Sequence, residues 1–420
     1  MRKDIDTIDA PAIEREIAAV SKLVKEIAVI VHENRLFALI VPDLQAATEA
    51  EIVNIENEIR WYAVEFYNMD AAQELKVRGY KIINTALPRD EGGMLKREEL
   101  SALVHSDYAD NTPCEEAPDN RTYRLIASYL ERVTDVSICP ASHLELDLGL
   151  DSLDYVQLFT FVEESFGVKV NEAEFAKMMV LDEFVRFVDA HKQKSEPAEE
   201  PEWSGILAQK SDYRLNYSHL FLAAYKTLFL PLFKLYFRFR ISGTQNLSLQ
   251  PCIIAPTHQS MIDGFLLASA LPYGVFKNTF FLAFEVVFGS WWMRPVANNG
   301  QMLLIDSNKN LKRSMLRSTV PLREGQNLVV FPEGARSRDR KLLEFKPFFA
   351  ILAKELNVPI IPVVLDGSFE ALPAGKLFPR PAKISIRFLE PIYPEGKSYE
   401  ELTREVKSVL EAQMRKEPMG

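Results

Sequence analysis

The sequence predicts a multidomain chain. A small α+β domain spans residues 1–105, a four-helix bundle spans 120–192, and an α/β domain spans 211–420, opened by an amphipathic helix. Three observations predict this. The 420 residues exceed one ordinary core, at roughly 100–200 residues per domain. Two polar, proline-broken stretches interrupt the apolar periodicity: "HSDYADNTPCEEAPDN", holding a linker at 106–119, and "HKQKSEPAEEPEWSG", within a linker at 193–210. Charge also divides at the second linker, with roughly 22 basic and 41 acidic side chains before residue 211 and roughly 27 and 18 after it. A net charge of −10 therefore hides an acidic front and a basic back. The acidic front argues against nucleic acid, and the basic back suits anionic substrates or anionic lipid.

Composition, 47% hydrophobic and 26% charged, excludes a disordered or fibrous chain. Cys114, Cys139 and Cys252 show no paired spacing, so neither a disulfide framework nor a zinc site is expected. The N-terminal "MRKDIDTIDAPAIERE" lacks the apolar core of a signal peptide, which predicts a cytoplasmic protein.

In the first segment, "APAIEREIAAVSKL" has helical apolar spacing through Ile13, Ile17, Ala18 and Val20. "EIAVIVHENRLFALIVPD" predicts two strands around a Glu-Asn-Arg turn, and "EAEIVNIENEIRWYAVEF" a second helix. A strand near "RGYKIINTALP", a Gly92-Gly93 loop and "MLKREEL" close the segment. The order, and the ending "LPRDEGGMLKREEL", resemble the mobile C-terminal domain of adenylate-forming acyl-CoA and acyl-carrier-protein synthetases. That resemblance places Met94 where the family has a charge-stabilising lysine, with Lys96 two residues late. Methionine cannot donate to a phosphate. The implied role is docking rather than catalysis, which leaves room for a separate adenylate-forming acyl synthetase as partner.

In the second segment, Leu153, Val156, Leu158, Phe161 and Phe166 share a helical face in "LELDLGLDSLDYVQLFTFVEESFGVKV", with Ser152 near the helix start. Asp or Ser before an apolar helix is also an ordinary cap. The stretch from "YRLIASYLERV" to "EFVRFVDAHK" resembles acyl carrier proteins of the fatty-acid type. Gly149-Leu150-Asp151-Ser152-Leu153 matches their attachment motif. The resemblance implies a 4'-phosphopantetheine cofactor on Ser152, installed by a phosphopantetheinyl transferase. Asp147, Asp151, Asp154, Glu163 and Glu164 supply the acidic charge that basic enzymes would dock to.

In the third segment, "CIIAPT" predicts a buried strand, "THQSMID" a loop and "FLLASAL" a helix. Five positions on a helix turn through about 500°, so His258 and Asp263 meet only if a turn joins them. "LVVFPEGARSR" runs from a strand into Phe331-Pro332-Glu333-Gly334-Ala335-Arg336-Ser337, where Gly334 permits close backbone approach and Arg336 offers a planar fork for phosphate. "NVPIIPVVLDG" predicts a proline-bearing buried strand.

These blocks, in this order, resemble the glycerolipid acyltransferase family of 1-acylglycerol-3-phosphate type, over about 215–395. The second block departs: Ser307 stands where the family has an arginine that holds the acceptor's phosphate, with Lys309 or Arg313 as substitutes. The resemblance implies His258 as general base and Asp263 as its orienting carboxylate. It gives Glu333, Gly334, Arg336 and Ser337 to the acceptor head group, with no metal. Acyl transfer from a thioester donor to a glycerol-phosphate or lysophospholipid hydroxyl would follow, in phospholipid synthesis or remodelling. Two alternatives stand: acylation of a non-phosphate hydroxyl or amine, and a carrier or scaffold protein for a separate synthetase.

"YSHLFLAAYKTLFLPLFKLYFRFR" is aromatic and apolar, with Lys226, Lys234, Pro231 and a basic end. A spanning helix wants about 20 apolar residues nearly free of charge, so a helix lying in the membrane interface is predicted. Trp291 and Trp292 extend that surface, line an acyl tunnel or pack in the core. The expected location is peripheral, on the cytoplasmic face of the membrane.

Overall fold

The computed structural model describes residues 8–32, 35–72, 75–105, 114, 116–196, 201–248, 251–288, 291, 293–306, 308–337, 340–373 and 378–415. Most of the first linker, residues 197–200 of the second, Trp292 and Ser307 lie outside the described residues. The chain divides into two compact units, residues 1–202 with 307–311, and residues 203–306 with 312–420. The α+β segment and the helical segment both lie within the first of these units.

The first unit opens with helix Ala10–Val20, capped by Asp9, and a three-stranded sheet. Its strands are β1 (Val24–His32), β2 (Arg35–Pro42) and β3 (Val77–Ile82), with β1–β2 antiparallel and β2–β3 parallel. The strands read as nearly continuous apolar runs because both faces are covered. Ile27, Val29, Ala38 and Ile40 pack with Ile13, Ile17, Ile59 and Val64 on one side. Ala28, Ile30, Leu39 and Val41 pack with Leu87 and Leu100 on the other. Glu14 joins the layers, accepting from the Val29 N–H at 2.7 Å and pairing with Arg97 at 2.9 Å.

The helix expected from Glu49 starts later, at Ile55, because Glu51 adopts a left-handed φ of 55° and breaks the run. A separate helix, Leu44–Glu49, precedes the break under an Asp43 cap. "MLKREEL" is divided: Met94 is exposed in a turn, and helix Arg97–His105 follows.

The middle segment folds as helices Arg121–Val133, Ser152–Phe166, Glu172–Phe175 and Leu181–His191. Tyr129 stacks on Phe161 at 4.5 Å, and Phe175 meets Tyr155 and Phe184 edge-on. Gly167, at φ 71°, ends the second of these helices. One expectation is corrected here. Cys114 and Cys139 form a disulfide across 25 residues. Their spacing carries no pattern, so only the fold, with Cα atoms 5.3 Å apart, discloses the pair.

The second unit is built on a seven-stranded sheet. Its strands are β4 (Arg240–Ser242), β5 (Ile253–Pro256), β6 (Thr279–Phe284), β7 (Met302–Ile305), β8 (Asn327–Val329), β9 (Ile360–Asp366) and β10 (Ser385–Phe388). They lie in the order β4-β10-β9-β5-β8-β6-β7. All neighbours are parallel except β9–β10.

Two glycines bracket β10. A Cβ on Gly243 would stand 2.0 Å from the Phe388 carbonyl oxygen, and one on Gly367 would stand 2.0 Å from that of Lys383. Both also have positive φ, 75° and 84°.

Helix His219–Tyr236, capped by Ser218 and containing Pro231, lays Leu222, Phe221, Tyr225 and Phe233 on the core. Leu220, Leu228, Leu232 and Leu235 remain exposed, the last at 85%. Among the described residues, no helix is long and apolar enough to cross a membrane.

Candidate active site

β5 is buried and lies between β9 and β8. Thr257 is pinned just past its end: its N–H donates to the Val363 carbonyl, and its hydroxyl accepts from the Leu365 N–H, both at 3.0 Å. The next residue, His258, leaves the sheet from a fixed point. Its Nδ1 lies 3.0 Å from Asp263 Oδ2.

The same carboxylate oxygen accepts from the backbone N–H groups of Gln259 at 2.6 Å and Ser260 at 2.7 Å. These bonds fold the loop back onto Asp263, the first residue of helix Asp263–Ala270. An oxygen so engaged takes its third bond from Nδ1–H, which leaves the ring's lone pair on Nε2.

The turn after β8 supports the histidine from behind. Phe331 lies against its ring at 4.2 Å between centroids. Glu333, only 3% exposed, commits both oxygens to backbone. Oε1 accepts from the His258 N–H at 2.7 Å, and Oε2 from the Leu343 N–H at 2.9 Å. Ser337 completes the bracket, its N–H donating to the His258 carbonyl at 2.8 Å. Burial pushes the Glu333 carboxyl up to about 7, against the two N–H donors that pull it down.

The four head-group positions read from sequence thus behave differently. Glu333 is a strut for the His258 backbone. Gly334 answers to its φ of 61°, since an added Cβ would meet only Lys346 Cγ, at 3.8 Å. Arg336 and Ser337 are buried and partnered within the protein. Arg313 is exposed on helix Leu311–Arg323.

Phe331 opens the Phe331–Ser337 stretch, and its aromatic ring is the signal in the sequence for a contact of this kind. Tyr225 and Lys226 had no such signal. The Tyr225 hydroxyl donates to the Phe265 carbonyl at 2.7 Å, and Lys226 Nζ donates to the Ser269 and Leu271 carbonyls. Burial, with Lys234 second, pushes Lys226 down to about 8. This lysine caps the helix that begins at Asp263.

Ser152 opens helix Ser152–Phe166, with Asp151 as N-cap and Asp154 closing a capping box. Its hydroxyl is half-buried and donates to Asn54 Oδ1 at 3.0 Å. A Cβ at Gly149 would meet nothing within 4 Å.

Comparison with known proteins finds two families. The acyltransferase family model matches residues 238–366, and the phosphopantetheine attachment site model matches residues 123–188. Among curated relatives, the chain is 27% identical to a 1-acyl-sn-glycerol-3-phosphate acyltransferase of Cocos nucifera, covering 36% of this chain and 49% of that one. To the enzyme of the same name from Limnanthes douglasii it is 29% identical, covering 43% and 63%. To that of Saccharomyces cerevisiae it is 31% identical, covering 37% and 52%. The chain thus spans about half to three-fifths of the length of these relatives. Among solved structures, the 1-acyl-sn-glycerophosphate acyltransferase of Thermotoga maritima matches with a TM-score of 0.41 and 24% identity, over 47% of this chain and 81% of that one.

Proposed function

We propose that this chain, which carries an acyltransferase domain at residues 238–366 and a phosphopantetheine-attachment domain at 123–188, moves a fatty acyl group from a thioester to the hydroxyl of a glycerol phosphate or lysophospholipid. The observation that carries the reading is the 3.0 Å contact between His258 Nδ1 and Asp263 Oδ2 at the end of β5.

His258 Nε2 takes the acceptor's hydroxyl proton as its oxygen attacks the thioester carbonyl. Asp263 holds the ring's tautomer and stabilises the imidazolium. The ring then returns the proton to the departing thiolate. Glu333 and Ser337 keep the His258 backbone still, while Gly334 and Arg336 would stand nearest the acceptor head group. Ser152 is the residue that would hold 4'-phosphopantetheine, which supplies a thiol to carry the acyl chain when bound.

The donor is this chain's own carrier domain, with acyl-ACP or acyl-CoA as further sources. The exposed leucines of helix His219–Tyr236 support a peripheral role at a membrane surface, with the cytoplasmic face as its side. The N-terminal domain is a docking surface, open to a separate adenylate-forming synthetase. One observation favours a second acceptor class: Ser307 stands where the resemblance implies a phosphate-holding arginine. A non-phosphate hydroxyl or amine is then the acceptor.

Incubating the acylated protein with lysophosphatidic acid or an aminolipid separates the two by product. His258→Ala is expected to fold and to lose about 10²–10⁴-fold in kcat. Turnover retained in that variant refutes the base.

A further inference from the structure

We propose that the N-terminal α+β domain clamps the unmodified carrier by holding the Ser152 hydroxyl on Asn54, and that attaching the arm expels the carrier from it. The inference rests on Ser152 being the attachment serine. Three groups of contacts within the first unit carry it.

Ser152 Oγ donates to Asn54 Oδ1 at 3.0 Å. Glu145, also from the carrier segment, accepts from the Ile55 and Glu56 N–H groups, each at 2.9 Å. Asn84 Nδ2 donates to Asp147 at 3.1 and 3.2 Å, and Leu146 packs against the core of the α+β domain.

The middle contact is informative. Asn54 occupies the N-cap of helix Ile55–Ile59, yet its side chain makes no capping bond there. The carrier's Glu145 caps those N–H groups instead, and the Asn54 side chain accepts from the serine. The two segments have exchanged a cap for a hold on the reactive hydroxyl.

The docked surface is acidic. Burial pushes Glu145 up to about 8, opposed by its two N–H donors, with Glu56 and Asp151 pushing it further. A docked carboxyl held this way has little room for more negative charge.

Modification adds that charge. Ser152 Oγ bonds to the phosphorus of coenzyme A's pantetheine phosphate and the pyrophosphate P–O bond breaks. The hydroxyl proton passes to the transferase, and adenosine 3',5'-bisphosphate leaves. Ser152 then has no hydrogen to give Asn54, and a phosphodiester anion stands among the carboxylates of Glu56, Asp151 and Asp154. Loss of the bond and like-charge repulsion act in the same direction. The clamp therefore distinguishes the apo carrier from the holo carrier.

The test uses the full chain, coenzyme A and a purified phosphopantetheinyl transferase, followed by intact mass. Asn54→Ala with Asn84→Ala leaves the carrier's own surface untouched. It is expected to speed modification at least about fivefold, because the accessible fraction of Ser152 rises; equal rates overturn the clamp.

A second measurement needs no variant. Hydrogen exchange at the Ile55 and Glu56 amides is expected to be slow in the apo protein and at least about tenfold faster in the holo protein, since opening uncaps them. Unchanged protection overturns the proposal. Ser152→Ala separates the two ideas: a mass shift that survives it removes the attachment reading, and the clamp with it. A lost shift alongside equal rates removes the clamp alone.

Discussion

His258 is held at four points: the ring by Asp263 and Phe331, the backbone by Glu333 and Ser337. Replacing Asp263 with Asn turns the third acceptor bond into an amide contact that no longer selects the Nδ1–H tautomer. Asp263→Asn is expected to lower kcat by about 10³–10⁴-fold with the acceptor's KM little changed, as steady-state kinetics would read. Equal losses in both parameters would assign the carboxylate to binding.

Glu333 makes a pH prediction. Its pKa in the folded state, about 7, stands above the ordinary 4.5. Below 4.5 both folded and unfolded chains hold the proton. Between 4.5 and 7 the unfolded chain releases it first, so this group's contribution to stability falls as pH rises and levels off above 7. Urea titrations of the wild type against Glu333→Gln should show their difference changing across that window and flat beyond it, by on the order of 3 kcal/mol. At this scale the sequence carried the identity of the groups. It did not carry the use of Glu333, because a carboxylate inside a motif looks the same whether its oxygens face a ligand or two backbone amides.

Helix His219–Tyr236 shows the corresponding limit for an element. Its apolar and aromatic character is legible in sequence, and so is its basic end. Which lysine faces solvent is not, because Pro231 and the approach of helix Asp263–Ala270 decide it. Lys226 turns inward onto the Ser269 and Leu271 carbonyls, while Lys234 stays exposed. Tyr225 and Lys226 thus tie the surface helix to the helix that starts at Asp263.

Tyr225→Phe removes the hydroxyl's bonds to the Phe265 carbonyl and Ser269 Oγ and should cost about 1–2 kcal/mol in thermal or urea unfolding. The outward face answers differently. Leu228, Leu232 and Leu235 are 64%, 48% and 85% exposed, so changing all three to Ser should leave unfolding nearly unmoved. Each would bury part of a leucine, worth about 1.5–3 kcal/mol when complete, so binding to anionic vesicles should weaken at least about 10²-fold by flotation. Unchanged flotation would remove the membrane from the proposal.

Across the whole molecule, carrier and acyltransferase domains share one covalent chain, so a donor on Ser152, as proposed, would be presented at an effective concentration set by the connection. A single-turnover acyl transfer from the acylated chain should keep its rate constant over about tenfold dilution. A rate that falls in proportion would place delivery between molecules. The two large folds were legible because their apolar periods and ordered motifs are local. The joining of the α+β and helical segments into one unit, and the Cys114–Cys139 bond, depend on contacts between distant residues that no local pattern records.

The glycines at either end of β10 carry a final consequence. β4 has β10 as its neighbour in the sheet, and β4 begins four residues after the surface helix ends. Tension on that helix, as when a bilayer tugs at its leucines, would be borne by a short splice of backbone that tolerates no methyl at Gly243 or Gly367. Alanine at either glycine should loosen the mooring before it harms the chemistry.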